Sequence, residues 1–60
     1  MQMTSNEHQI AYLQGLIRRA VTPLTEADVA AAARLAFGVP VGASYRLAAQ
    51  AFRAPIAAYN

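Results

Sequence analysis

The sequence predicts an all-α protein made of three short helices in a single domain that spans residues 1–60. Large apolar residues recur at spacings of three and four, which is the period of one helix face. Glycine and proline separate these runs at Pro23 and between Gly38 and Gly42. Hydrophobic residues make up 57% of the chain, and nearly half of them are alanines, the strongest helix formers. We expect residues 1–5 to be a frayed N-terminus and residues 56–60 to be a C-terminal tail.

The first helix is predicted over residues 6–20. Ser5 or Asn6 can cap its start, and Arg18 and Arg19 suit the negative end of the helix dipole in its last turn. One face carries the apolar residues Ile10, Leu13, Leu16, Ile17 and Ala20.

The second helix is predicted over residues 24–37, with a start between residues 22 and 26. Two caps are possible: Thr22 followed by Pro23, or Thr25 with Asp28 three residues later, a variant of the capping box. The apolar face would consist of Val29, Ala32, Ala33, Ala36 and Phe37.

A turn over Gly38 to Gly42 ends the second helix, because Gly38 can adopt a positive φ angle and Pro40 prevents continuation. We place the third helix at residues 44–54, with Ser44 as its N-cap. Its apolar surface is wide and has two neighbouring stripes: Tyr45, Ala48, Ala49 and Phe52, then Leu47, Ala51 and Ala54. Such a surface is expected of a helix that packs between two partners.

The formal charge of +2 is unevenly distributed. The acidic residues all lie in the first half of the chain, whereas Arg34, Arg46 and Arg53 lie in the second half. The chain has no cysteine, no apolar segment long enough to span a bilayer and no recognisable signal peptide. We therefore expect a cytoplasmic protein without a membrane partner.

Enzymatic chemistry is not indicated. His8 is the only histidine, so a typical transition-metal site lacks its ligands, and a nucleophilic Ser44 would have no base on its own helix. Glu26 and Asp28 are two apart on a helix, so their side chains diverge and fit a role at the helix start. We expect no catalytic site, metal, cofactor or small-molecule substrate.

The segment Gly38-Val39-Pro40-Val41-Gly42-Ala43-Ser44-Tyr45-Arg46-Leu47 resembles the turn and recognition-helix start of bacterial helix-turn-helix domains. Leu24-Thr25-Glu26-Ala27-Asp28-Val29-Ala30 is similar to the opening of excisionase-like and MerR-like regulators. The resemblance covers about half of the chain and places a helix-turn-helix at residues 24–54. It implies a DNA-binding transcriptional regulator whose third helix enters the major groove. The residues nearest the DNA would be Gly42, Ala43, Ser44 and Arg46, with Arg53 and Arg34 on the DNA backbone.

The alternative is a small protein-interaction module: a homodimer, an inhibitor or antagonist of a larger protein, or a minor subunit of a complex. A chain of this size leaves much apolar surface exposed unless a partner covers it, so a homodimer or a complex with a larger protein is expected in either case. Its interface would use Ile10, Leu13, Ile17, Phe52 and Ile56. In this alternative the arginines are solvated charges. We favour DNA over a protein ligand as the main partner.

Overall fold

The computed structural model describes residues 5–54, which form three α-helices and no strand. Helix α1 spans Asn6–Arg19, α2 spans Glu26–Phe37 and α3 spans Val41–Arg53. The predicted all-α fold is confirmed. None of these helices is long and apolar enough to cross a bilayer. The expectations for residues 1–4, for Ile56 and for the tail after Pro55 lie outside the described residues.

Side chains cap the first two helices. Ser5 Oγ accepts from the His8 backbone N–H at 3.2 Å, so Ser5 belongs to the start of α1 rather than to a frayed terminus. At α2, Asp28 N–H donates to Thr25 Oγ1 at 3.1 Å, and Thr25 N–H donates to Asp28 Oδ2 at 3.0 Å. This reciprocal capping box decides between the two predicted caps in favour of Thr25.

Helix α2 ends where glycine and proline predict. Gly38 takes a left-handed conformation with a φ of 67°, and its N–H donates to the Arg34 carbonyl at 2.9 Å. A β-carbon at this φ would be strained, which explains why glycine suits the position.

The predicted start of α3 was wrong. The helix begins at Val41, and Pro40 is its N-cap without any side-chain hydrogen bond. The φ of Pro40 is held near −66°, so the chain can turn into a helix directly after it. Ser44 lies inside the first helical turn, where its N–H donates to the Pro40 carbonyl at 2.9 Å. The turn is therefore Gly38–Pro40, shorter than predicted.

The core is thin and rich in alanine. The most extensive helix contact is between α2 and α3, and α1 packs against both. Leu13, Val29 and Leu47 supply the large buried side chains, and alanines let the helices approach closely. The buried apolar set is Leu13, Val29, Ala30, Ala33, Leu47, Ala48 and Ala51. On α3 the buried side takes Leu47 and Ala51 from one predicted stripe and Ala48 from the other, and Tyr45 and Phe52 are left partly exposed.

A buried glutamine joins α1 to the end of α3. Gln14 Nε2 donates to the Ala54 carbonyl at 3.2 Å and to the Ala51 carbonyl at 3.4 Å. The last carbonyls of a helix have no partner within the helix, and Gln14 satisfies two of them here. This contact fixes the C-terminal end of α3 against α1.

Candidate functional site

The outward side of α3 carries two arginines and two small residues. Its inward side is formed by the buried residues Ser44, Leu47, Ala48 and Ala51. At about 100° per residue, the opposite side carries Gly42, Arg46, Ala49 and Arg53, which we call the arginine stripe. Arg46 and Arg53 are both exposed, and they lie about 10.5 Å apart along the helix axis.

The charge on this side of the protein is entirely positive along α3. The helix contains no acidic residue. The acidic residues within residues 5–54 lie in the first turns of α1 and α2. Arg46 extends back towards Gly42, since a β-carbon built at Gly42 would lie 3.9 Å from Arg46 Nη1. The first turn of α3 therefore presents bare backbone beside a guanidinium group.

Ser44 does not belong to this outward surface, and its predicted role at the DNA needs correction. Its relative exposure is 0%. Ser44 Oγ donates to the Val41 carbonyl at 2.6 Å and accepts from Arg34 Nη1 at 2.9 Å. The hydroxyl is thus used in the contact between α2 and α3. Arg34 is half-buried in the same contact, and its role at a DNA phosphate stays a prediction.

The other predicted DNA residues lie on or beside the arginine stripe. Gly42, Arg46 and Arg53 are on the stripe, and Ala43 is half-buried at its edge. Sequence reasoning missed Ala49 and Gln50, although both could have been found by counting three and four residues from Arg46.

An open groove of about 210 Å³ runs beside the stripe, between α3 and the start of α1. Polar side chains from both helices and apolar side chains of α3 and the preceding turn line it: Asn6, Gln9, Gln50 and Arg46, then Val39, Ala43 and Leu47. Asn6 and Gln9 could not have been found from the sequence, because only the packing of α1 brings them to α3.

The predicted protein interface also changes. Leu13 is fully buried in the core of this chain and is not available to a partner, so that prediction is corrected. Ile10 and Ile17 are half-buried and pack against the core. Phe52 is 43% exposed. Together with exposed Val41 and Tyr45 it forms one side of α3, which we call the apolar flank.

Two of the residues considered for catalysis, His8 and Asp28, have structural contacts. Ser5 Oγ lies 3.0 Å from His8 Nδ1 at the start of α1. Hydrogen bonds from the backbone and side chain of Thr25 lower the pKa of Asp28, as expected for a capping carboxylate. No group of three or more histidine, cysteine or acidic residues within residues 5–54 is placed to hold a metal ion.

Comparison of the chain with protein-family models, with curated proteins and with solved structures finds no significant match. Function is therefore inferred from the residues and contacts described above.

Proposed function

We propose that this chain is a small DNA-binding transcriptional regulator in which α3 enters the major groove. The observation that carries the proposal is the arginine stripe on the outward side of α3. An α-helix fits the major groove, and an arginine there can donate two hydrogen bonds to guanine. Arg46 would take this role, while Arg53, about 10.5 Å further along the axis, would bind a backbone phosphate. Such a regulator would act in the cytoplasm.

The small residues of the stripe support close contact with the bases. Gly42, one turn before Arg46, and Ala49, between the two arginines, project little beyond the helix backbone, so a base edge can approach the helix beside Arg46. The lack of acidic side chains on α3 also avoids repulsion from phosphates.

The contact between α2 and α3 is compatible with the resemblance to helix-turn-helix domains. Those domains normally have a small residue where this chain has Arg34, and an aliphatic residue where it has Ser44. In this chain the two unusual residues bond to each other, at 2.9 Å between Arg34 Nη1 and Ser44 Oγ. This bond links α2 to α3 at the two positions where the chain departs from those domains.

The proposal is tested by titrating the protein into labelled genomic DNA fragments at several salt concentrations. We expect affinity to fall steeply with salt, and Arg46→Ala to weaken binding about ten-fold or more through the loss of a base contact. Arg19→Ala is the matched control, since it removes the same charge from the exposed end of α1. If Arg46→Ala and Arg19→Ala lose the same DNA affinity, the effect comes from net charge alone, and the proposal is contradicted.

Gly42→Ala separates a DNA contact from a structural role. The added methyl has room in the free protein, because the nearest side-chain atom lies 3.9 Å away. Alanine is also the better helix former, so we expect unchanged or slightly higher stability. DNA binding should nevertheless weaken, because the methyl holds the helix backbone away from the bases. If the variant is stabilised and binds DNA as well as wild type, Gly42 is not part of the DNA interface.

The second candidate function is self-association through the apolar flank. Val41, Tyr45 and Phe52 lie on one side of α3 at spacings of four and seven, and all three are exposed. Light scattering of wild type and of Phe52→Gln tests this candidate, with Leu35→Gln as the control, since Leu35 is 89% exposed on α2. A dimer that only Phe52→Gln dissociates supports it, and a monomeric wild type contradicts it.

A further inference from the structure

We propose, on the basis of the DNA-binding function above, that the interface continues from Arg46 across Gln50 onto the first turn of α1. In this extended interface Gln50 selects an adenine beside the guanine that Arg46 contacts. Sequence preference then comes from two residues of α3, and α1 contributes contacts of its own to the DNA backbone.

The groove beside the arginine stripe places these groups together. Gln50 lies one turn after Arg46 on α3, is exposed, and lines the same groove of about 210 Å³. Asn6 and Gln9 of α1 line its opposite side. A DNA strand that meets the outward side of α3 at Arg46 therefore passes the start of α1 as well.

The chemistry of the lining suits an A·T pair next to a G·C pair. A carboxamide both donates and accepts, which matches the N6 amino group and N7 of adenine. A guanidinium only donates, which matches O6 and N7 of guanine. The apolar part of the groove offers a surface for the methyl group of thymine, the partner of adenine. It consists of half-buried Val39 and Ala43; Leu47 also lines the groove but is buried in the core.

The start of α1 fits a backbone contact rather than a base contact. Asn6 and Gln9 stand on the far side of the groove from the arginine stripe and carry neutral amide groups. Amide side chains commonly donate to phosphate oxygens, where they position the protein without reading the sequence. We therefore expect Gln9 to affect affinity and not base preference.

The test is selection of binding sites from a pool of randomised DNA duplexes, using the full chain and three variants. Wild type should select an A·T pair beside the G·C pair. Gln50→Ala should lose that preference about ten-fold, the effect of one bidentate base contact. Gln50→Lys replaces a donor and acceptor with a donor alone, so it should move the preference from A·T to G·C. Gln9→Ala should weaken binding a few-fold without changing the selected site.

The outcomes separate this inference from the function on which it rests. If wild type binds no duplex, or if Arg46→Ala binds as well as wild type, the DNA-binding function and the inference about Gln50 are both overturned. If Arg46→Ala weakens binding but Gln50→Ala and Gln50→Lys select the same sites as wild type, only the inference about Gln50 is overturned. Melting curves of the variants check the fold, and Gln50 is exposed enough that its replacement should leave the melting temperature unchanged.

Discussion

The hydrogen bond between Arg34 and Ser44 predicts a strong energetic coupling between α2 and α3. We consider Arg34→Met, which keeps an unbranched apolar stem and removes the guanidinium, together with Ser44→Ala and the double variant. Arg34 Nη1 donates to Ser44 Oγ at 2.9 Å, and Ser44 is fully buried. Each single variant breaks the same contact, so the second substitution should cost little once the first is present.

The size of the coupling energy follows from the charge and the exposure of the Arg34 guanidinium. Hydrogen bonds to charged groups contribute about 1.5–3 kcal/mol to stability. Arg34 is half-buried, so water weakens the interaction, and a coupling of about 1 kcal/mol is the appropriate expectation. For a domain of this size about 1 kcal/mol corresponds to a change of roughly 4–8 °C in melting temperature.

The assay is a double-mutant cycle from urea or thermal unfolding at neutral pH. Both single variants should melt roughly 4–8 °C below wild type, and the double variant should melt close to the lower of the two. If the stability losses of the two single variants add up to the loss of the double variant within about 0.5 kcal/mol, the contact does not couple α2 and α3 energetically.

Three further predictions concern the fold. Leu13→Ala should cost about 2–5 kcal/mol, because Leu13 is fully buried in a thin core, and circular dichroism should show a largely unfolded chain at room temperature. Gln14→Leu should destabilise by about 1–3 kcal/mol in denaturant titrations, because it removes donors to the carbonyls at the end of α3. Asp28→Asn should lower the melting temperature at neutral pH but not in strong acid. The lowered pKa of Asp28 means that its carboxylate stabilises the fold above about pH 4, and that this stabilisation is lost as the pH falls through the folded-state pKa.

Local signals in the sequence predicted most of the fold. Gly38 and Pro40 predicted the end of α2 correctly. The positive φ of Gly38 and the missing backbone N–H of Pro40 end a helix without help from tertiary contacts. The pairing of Thr25 with Asp28 depends only on residues three apart, so it was visible as one of two possible caps. The end of α1 was predicted to within one residue.

The start of α3 could not be predicted by the same reasoning. Ser44 has the residue type of an N-cap, but its hydroxyl is engaged by Arg34, ten residues earlier. That contact depends on how α2 and α3 cross, which no local pattern reveals. The groove between α1 and α3 has the same origin, since only tertiary packing brings Gln9 and Gln50 to line one groove. The arginine stripe was partly predictable, because its residues share one helix and a known spacing.

The apolar flank and the arginine stripe lie on different sides of α3, so the two candidate functions are compatible. Tyr45 and Arg46 are adjacent in sequence and therefore point about 100° apart around the helix axis. A second copy that covers Tyr45 and Phe52 would leave Arg46 and Arg53 open to DNA. Dimerisation would also add a second DNA-contacting helix, and linked sites bind more tightly than one. It follows that Phe52→Gln should weaken DNA binding only where the protein is dimeric, whereas Arg46→Ala should weaken it at every protein concentration.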